Sequence, residues 1–297
     1  MASYYQRITV LINSRAGKQD AALAQQAADA FRAAGADPDI RLVDGPSMPR
    51  EAADAVQRGS PVIVAGGGDG SVSAVAGVVA GSAAALGVLP LGTLNHFAKD
   101  LGIPIDLDKA VEVIVAGRET SVDVGEVNGR LFVNNASIGM YARLIAERGS
   151  EMQRIGRHKW VAHGLAALRV WRRYPRLRVV VRADGAARRV RTPFVFVGNN
   201  EYQLSGLELG GRKDLAGGRL HVCMAPGMSR GGVARMIIAA VFGDVYDIDE
   251  FESSTTRAVA LDAGVSRMDA SIDGELVTLA NPLTFGIRPR VLRVVVP

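Results

Sequence analysis

The sequence VIVAGGGDGS, residues 62–71, joins a short apolar strand to a run of glycines, and an apolar helical segment follows it. Glycines at a strand-to-helix turn let backbone N–H groups approach phosphate oxygens, and the amino end of the helix adds a favourable field for an anion. Asp69 in this turn can orient a magnesium ion or a ribose. The spacing matches neither the G-x-G-x-x-G fingerprint nor a Walker A sequence, and glycine runs also form plain tight turns.

The sequence around this turn alternates strand and helix patterns. We predict strands at residues 7–12, 39–43, 61–65 and 85–88, and helices at residues 20–34, 50–58 and 71–79. Such an alternation predicts a parallel sheet covered by helices. Ligands of such sheets bind at the carboxyl ends of the strands.

The pattern changes near residue 128, where short strands begin to follow one another. We predict strands at residues 131–137, 177–183, 194–198, 220–225, 271–272, 276–279 and 291–296, interrupted by helical stretches at residues 141–174 and 231–242. The sequence therefore predicts an α/β nucleotide-binding domain followed by an antiparallel β domain.

Composition narrows the class of protein. The chain has 297 residues, 48% hydrophobic and 22% charged, which excludes disordered, collagen-like and coiled-coil proteins. Cys223 is the only cysteine, so neither an internal disulfide nor a zinc cluster is expected, and a reducing, cytoplasmic compartment is the simplest expectation. The apolar run at residues 8–12 is too short for an export signal, and glycines and Pro90 break the uncharged stretch 70–98 into pieces too short to span a membrane.

Positive charge is concentrated in one region. Residues 143–191 hold 14 Arg or Lys and 3 acids, so this region carries +11, whereas the whole chain carries +5. Such a field attracts phosphate-bearing surfaces, and Trp160, Trp171 and Tyr174 suit a membrane interface better than a nucleic acid. The alternative is a solvated helix that packs its apolar side on a core.

Two further loops and one turn carry candidate functional residues. Asn13 follows the first strand, and the sequence PLGTLN, residues 90–95, follows another, so three loops can converge on one polyphosphate. Near the carboxyl end, Asp273-Gly274-Glu275 sets two carboxylates around a glycine. The alternative for this last motif is an ordinary Asp-Gly hairpin turn with a solvated glutamate.

Together these motifs resemble the diacylglycerol kinase catalytic-domain family, which includes sphingosine and ceramide kinases and bacterial lipid kinases. The resemblance rests on the order of five segments: residues 13–18, 67–71, 92–98, 134–139 and 273–275. It implies transfer of the γ-phosphoryl group of ATP to a lipid hydroxyl such as that of diacylglycerol. It also implies an NAD kinase/diacylglycerol kinase-like α/β domain at residues 1–127, completed by residues 288–297, and a β-sandwich lipid-substrate domain at residues 128–287.

The resemblance also assigns roles to individual residues. It implies that Asp69 and Asp273 organise Mg²⁺, and that Glu275 accepts the proton of the lipid hydroxyl, so these three are the expected catalytic residues. The residues implied to hold ATP are Asn13, Gly67, Gly68, Asp69, Gly70, Ser71, Gly92, Thr93 and Asn95.

Departures from the family pattern keep alternatives open. His96 stands where the family commonly has an aspartate, and Gly217-Gly218 stand where an Asp-Gly pair usually helps to hold a structural cation, with Asp214 close by in sequence. A non-catalytic lipid-binding regulator is one alternative. An NAD kinase-like small-molecule kinase is another, favoured by residues 199–201, Asn-Asn-Glu.

The expected partners are a lipid substrate and an anionic membrane, which the protein contacts peripherally. No nucleic acid is expected, and a homodimer is left open.

Overall fold

A computed structural model describes most of the chain, and the predicted helical stretch 141–174 lies outside its described residues, as does all but the start of 231–242. The described ranges are residues 8–14, 20–139, 177–203, 211–212, 214–229, 231–232 and 251–297.

The amino-terminal half is a parallel sheet between helices, as the alternating pattern predicts. Its elements are β1 (Thr9–Asn13), α1 (Asp20–Ala33), β2 (Asp39–Val43), α2 (Met48–Gln57), β3 (Val62–Gly67), α3 (Asp69–Val79), β4 (Ala85–Pro90), α4 (His96–Asp100) and α5 (Leu107–Ala116). The strand order is β2-β1-β3-β4, all parallel. The helices cover the sheet in two pairs, α1 with α5 and α2 with α3. Every residue of β3 and β4 is therefore buried.

The carboxyl-terminal half is an antiparallel sandwich. Its strands are β5 (Glu119–Val127), β6 (Arg130–Phe132), β7 (Asn135–Gly139), β8 (Leu177–Ala183), β9 (Ala186–Thr192), β10 (Phe194–Asn199), β11 (Leu220–Met224), β12 (Glu252–Thr256), β13 (Ala258–Asp262), β14 (Arg267–Ile272), β15 (Glu275–Ala280) and β16 (Leu283–Val295). One layer has the order β12-β11-β10-β7-β14-β15, and the other contains β16-β13-β8-β9. Alternate residues of both layers, such as Val197 and Leu261, form one buried cluster between them.

Strand β16 joins the two halves into one sheet. Its first residues pair antiparallel with β13, and Val294 near its end pairs in parallel with Leu86 of β4. Strand β5 runs antiparallel beside it, with a register irregularity between Arg288 and Leu292. The pairing of Val294 agrees with the expectation that residues 288–297 return to the first domain, while the domain boundaries themselves stay a prediction.

The structure differs from the sequence prediction in several elements. The single strand expected at residues 131–137 is two strands, because the backbone amides of residues 133–135 turn to the carboxylate of Asp273. Strands β5, β9, β12 and β13 and helices α4 and α5 were not anticipated. Strand β9 is rich in arginine and β12 is polar. Neither strand has the hydrophobic alternation from which a strand is predicted. The uncharged stretch 70–98 divides into α3, β4 and the start of α4, and no helix within the described ranges is long and apolar enough to cross a bilayer.

Candidate active site

The ends of β1 and β3 meet through one side-chain contact. Asn13, the last residue of β1, donates a hydrogen bond from Nδ2 to Oγ of Ser71 in the first turn of α3, at 2.8 Å. Strands β1 and β3 are neighbours, so their carboxyl ends share one edge of the sheet. Two of the three predicted ATP-binding segments are therefore in direct contact.

The glycine run forms a tight turn into α3. Gly68 is the extended N-cap residue, with φ −87° and ψ −175°, and no side chain caps this helix end. The first N–H groups of α3 are therefore available to an anion. A Cβ atom on Gly67 would lie 2.5 Å from Oγ of Ser71, so this turn excludes a larger residue.

The loop after β4 packs backbone to backbone on the glycine turn. A Cβ atom on Gly92 would lie 2.8 Å from Oδ1 of Asn95 and closer still to Cα of Gly68. The close approach requires glycine at position 92, because a side chain there would collide with the backbone of Gly68. The tip of the loop, Thr93 and Leu94, is exposed.

Asn95 braces this loop from inside. It is buried in a left-handed conformation (φ 51°), and its Nδ2 donates to the carbonyls of Pro90 and Gly92 at 3.2 and 2.8 Å. Its Oδ1 accepts the backbone N–H of Gly92 at 3.0 Å. Asn95 thus shapes the loop, and its predicted contact with ATP stays a prediction.

We expect Gly92→Ala to weaken nucleotide binding by about tenfold or more, because the added methyl group pushes the loop away from Gly68 and a shift of about 1 Å in a binding loop has effects of that size. Gly77→Ala is the matched control, since Gly77 lies in the same region on α3 with open space around it. Calorimetry with ATP and magnesium measures both. Equal affinity of the two variants would contradict a close loop contact.

Asp69 is positioned by α4. It is half-buried at the start of α3, and its Oδ1 accepts the backbone N–H of Phe97 at 3.2 Å. Its Oδ2 makes no hydrogen bond to any described residue and is available to a metal ion or a bound water. A half-buried carboxylate with one available oxygen beside a phosphate-binding turn fits magnesium, which is usually held by one or two carboxylates together with substrate phosphates.

Asp273 is the first central residue of the hairpin turn between β14 and β15. Its φ of 46° and the φ of 86° at Gly274 are those of a type I′ turn, so the predicted Asp-Gly turn is present. The aspartate, however, points inward. Oδ1 accepts the amides of Asn134 and Asn135, both at 2.9 Å, and Oδ2 accepts the amide of Val133 at 2.8 Å and the hydroxyl of Ser73.

These four hydrogen bonds give the Asp273 carboxylate a structural role. They use all four lone-pair positions of the carboxylate, so Asp273 ties the hairpin to residues 133–135 and to α3. The magnesium role assigned to Asp273 by the family resemblance stays a prediction. Burial raises the pKa of Asp273, and the bonds from Ser73 and the three amides oppose that rise. Ser73 lies one helical turn beyond Asp69, so the turn is anchored beside the phosphate-binding end of α3.

Glu275 is the first residue of β15, opposite Ile272, and its side chain is exposed. Asp273, two residues before Glu275, accepts a hydrogen bond from Ser73 of α3. The turn therefore holds the backbone of Glu275 near the first half of α3. Among the predicted catalytic residues, Asp69 and Asp273 are thus linked through α3, and Glu275 is placed by the hairpin that Asp273 fixes.

Arg212 is a buried residue that the sequence analysis did not single out. Its side chain is 0% exposed and forms an ion pair with Asp100 of α4, with 2.7 Å between Nε and Oδ2. Nη1 donates to the carbonyls of Val133 and Asn199 at 2.6 and 3.0 Å, and Nη2 donates to Oδ1 of Asn134 at 2.9 Å. Arg212 therefore connects α4 of the first half with β10 and the β6–β7 connection of the second.

Aromatic rings complete this buried cluster. The guanidinium carbon of Arg212 lies 5.2 Å from the ring centroid of Tyr202 and 6.0 Å from that of Phe97, whose amide binds Asp69. The Tyr202 hydroxyl donates to the carbonyl of Asn134 at 2.9 Å, and burial raises the pKa of Tyr202 to about 12, so it remains a neutral donor. Arg212 had no sequence signal, because its partners are brought to it only by the fold.

The segment around Gly217-Gly218, where the family usually has an Asp-Gly pair, is held together by protein contacts. Buried Asp123, not anticipated, accepts the amides of Gly218 and Arg290 at 2.7 and 2.8 Å. Asp214 is exposed and accepts the amide of Ala216 at 2.7 Å. His96 is exposed at the start of α4. Within the described ranges, no group of three or more His, Cys, Asp or Glu side chains is placed to hold a metal ion.

The fold and the converging loops define a protein of the NAD kinase and diacylglycerol kinase class, with an α/β domain and a β-sandwich. Residues 7–127 match the diacylglycerol kinase catalytic domain, and residues 135–296 match the YegS C-terminal NAD kinase beta sandwich-like domain. The second match alone covers more than half of the chain, so the chain belongs to the YegS and diacylglycerol kinase family of lipid kinases.

Individual relatives match over part of their length. A protein named "Probable lipid kinase YegS-like" from Enterobacter sp. (strain 638) is 31% identical over 172 residues, which is 56% of each chain. A protein of the same name from Klebsiella pneumoniae (strain 342) is 38% identical over 116 residues, 38% of this chain and 39% of the relative. A "Diacylglycerol kinase" from Staphylococcus saprophyticus is 36% identical over 107 residues, 35% of each chain. The chain thus aligns with about one third to one half of the length of these relatives.

Solved structures share the fold over nearly the whole chain. A crystal structure of a diacylglycerol kinase from Bacillus anthracis str. Sterne superposes with a TM-score of 0.72 at 17% identity, covering 98% of this chain and 97% of that one. Another structure from the same organism has a TM-score of 0.76 at 20% identity, with the same coverage. At these identities the likeness establishes the fold alone.

Proposed function

We propose that this protein transfers the γ-phosphoryl group of ATP to the hydroxyl of a lipid such as diacylglycerol. One observation carries the proposal: in a chain of the lipid kinase family, the ends of β1, β3 and β4 bring Asn13, the glycine turn and the Gly92 loop into direct contact. That is the edge of a parallel sheet where a polyphosphate binds.

The nucleotide site uses the backbone more than side chains. The N–H groups of residues 67–71 would hold phosphate oxygens at the start of α3, with Thr93 at the exposed tip of the next loop. Asn13 and Asn95 support this surface by fixing Ser71 and Gly92. Magnesium, when bound, neutralises developing charge on the phosphates, and Asp69 is the residue that would hold it.

The acceptor side depends on the β14–β15 hairpin. Glu275 would accept the proton of the lipid hydroxyl late in the transfer, since in a largely dissociative reaction the protein mainly positions the nucleophile. Asp273 acts one step away, because its four hydrogen bonds fix the turn that presents Glu275. Asp273 is therefore a positioning residue in this proposal.

The NAD kinase-like alternative rests on the Asn-Glu pair at residues 200 and 201. Asn200 is buried, with its Nδ2 3.5 Å from Oδ1 of Asn199, and Glu201 is exposed. These contacts favour neither kinase activity, so an assay decides between them. Incubation with labelled ATP and either NAD or a panel of lipids in mixed micelles tests both kinase activities. Labelled lipid supports the proposal, labelled NAD favours the alternative, and no labelled product favours a non-catalytic regulator.

We expect Glu275→Gln to lower the rate of lipid phosphorylation by about a hundredfold or more at saturating ATP, because glutamine keeps the size of the side chain but cannot take a proton. ATP affinity should be unchanged. Asp269→Asn is the matched control, since it removes an exposed carboxylate from the same hairpin. Unchanged turnover in Glu275→Gln would return Glu275 to the role of a solvated turn residue.

The lipid acceptor implies peripheral contact with an anionic membrane, for which the sequence indicated the basic region 143–191. Only residues 177–191 of that region lie within the described residues, and Trp160, Trp171 and Tyr174 lie outside them. The described part is the hairpin β8–β9.

A further inference from the structure

Strands β8 and β9 form the open edge of the ten-stranded sheet, and their two faces differ sharply. Val179, Val181 and Val190 are buried in the core of the sandwich. Because side chains alternate along a strand, the intervening residues of β8 point to the opposite, outer face. Arg178 and Arg182 are two of these residues, and both are exposed.

The register of the hairpin places further arginines on the same outer face. Arg178 lies directly opposite Arg191, and Val180 lies opposite Arg189. Residues directly opposite in an antiparallel pair project to the same side of the sheet. Arg178, Arg182, Arg189 and Arg191 therefore share one face, which we call the arginine face.

The arginine face has little internal neutralisation. Arg182 lies 3.6 Å from Asp262 of β13, while Arg178, Arg189 and Arg191 have no acidic partner among the described residues. Like charges placed opposite one another, as Arg178 and Arg191 are, destabilise a sheet. An anionic partner would offset this repulsion, so the arginine face favours binding to negatively charged surfaces.

The surface beside the arginine face carries small or paired side chains. Ala258, Ala260 and Gly286 point outward from the next two strands, and Arg288 forms an ion pair with Glu126. No outward residue of β8 or β9 is aromatic. A basic surface whose strands offer no stacking side chain fits phosphate headgroups better than a single-stranded nucleic acid.

We propose that the arginine face docks the protein on a bilayer rich in anionic phospholipid. This inference rests on the proposed function, since an acceptor that resides in a membrane is what the enzyme must reach. The contact is electrostatic and superficial, because the outward residues of β8 and β9 include no large apolar side chain that could enter the hydrocarbon. It is therefore reversible and salt-sensitive, with charges screened beyond about 8 Å at physiological ionic strength.

The test compares two triple variants of the full chain by vesicle sedimentation. R178Q/R189Q/R191Q removes three unpaired charges from the arginine face, and R118Q/R130Q/R267Q removes three exposed charges from elsewhere on the molecule. Each protein is mixed with phosphatidylcholine vesicles or with vesicles of phosphatidylcholine and phosphatidylglycerol in equal amounts, at low and physiological salt.

We expect the wild type to bind only the anionic vesicles, and more weakly as salt rises. Each arginine contributes about fivefold to such binding, so the first triple variant should bind about a hundredfold more weakly. The control lacks the same number of charges and should bind within a few-fold of the wild type. If both variants lose affinity equally, the effect is one of net charge, and the proposal is wrong.

Three further results would overturn the proposal: equal binding of the wild type to neutral and anionic vesicles, no binding to either, or tight binding to duplex DNA with none to vesicles. Phosphorylation of a detergent-dispersed lipid separates this test from that of the proposed function. The first triple variant should keep that activity and lose phosphorylation of the same lipid in anionic vesicles. A protein that binds anionic vesicles but phosphorylates no lipid would refute the kinase proposal alone.

Discussion

Asp69→Ala is expected to lower lipid phosphorylation by about 10⁴-fold or more while the protein stays folded, because the carboxylate that would hold magnesium is lost together with the charge neutralisation the metal supplies. Its structural cost is small, since among the described residues only the Phe97 amide donates a hydrogen bond to the Asp69 side chain, and such a bond is worth about 1 kcal/mol. Steady-state turnover with saturating lipid and a magnesium titration measures the effect.

Asp69→Asn separates the charge from the hydrogen bond. Asparagine retains an acceptor for the Phe97 amide but binds magnesium poorly, so it should be nearly as inactive as alanine and as stable as the wild type. Thermal unfolding of all three proteins provides the check on folding. Turnover close to the wild-type rate in a folded Asp69→Asn protein would remove Asp69 from the phosphoryl-transfer site.

Arg212→Leu is expected to reduce the free energy of unfolding by about 3–5 kcal/mol, because it leaves Asp100 as an unpaired charge in the interior and removes one hydrogen-bond donor from each of the carbonyls of Val133 and Asn199. Arg58→Leu is the matched control. Arg58 pairs with Asp54 on the surface, where removal of an ion pair costs about 1 kcal/mol or less. Urea unfolding followed by circular dichroism measures both variants.

A second substitution tests the cause of that loss. In Arg212→Leu/Asp100→Leu no charge is left buried, so the double variant should be more stable than Arg212→Leu alone. Equal or greater instability of the double variant would show that packing against Tyr202 and Phe97, and not the ion pair, is the main contribution of Arg212. A loss in Arg212→Leu no larger than that in Arg58→Leu would contradict its role as a connection between the two halves.

The sequence predicted those parts of the fold that depend on local pattern. The β-α alternation, the glycine turn before Asp69 and the Asp-Gly turn at Asp273 each carry a short-range signal, and each is present. The direction of the Asp273 side chain was not predictable, because an exposed and a buried aspartate satisfy the same turn. Its partners lie 138 to 200 residues away in the chain.

The remaining features depend on long-range contacts. Arg212 reaches Asp100 across 112 residues and Val133 across 79, and no periodicity in the sequence marks such a group. The bracing role of Asn95 is also invisible in the motif that contains it, since a loop-shaping and a ligand-binding asparagine occupy the same position. Strand β9 was missed because only Val190 and Thr192 are buried among its arginines, which leaves too little hydrophobic alternation to predict a strand.

The single strand β16 has a mechanical consequence for the whole molecule. It is hydrogen-bonded at one end to β13 of the sandwich and at the other to β4 of the nucleotide half, so neither half can rotate freely as a separate rigid body. Twisting one half relative to the other must bend this strand. The ladder with β5 is irregular between Arg288 and Leu292, where bending breaks the fewest bonds. Relative motion of the two halves is therefore concentrated at this irregularity, and strain in the sandwich is transmitted along the backbone of β16 to the sheet of the first half.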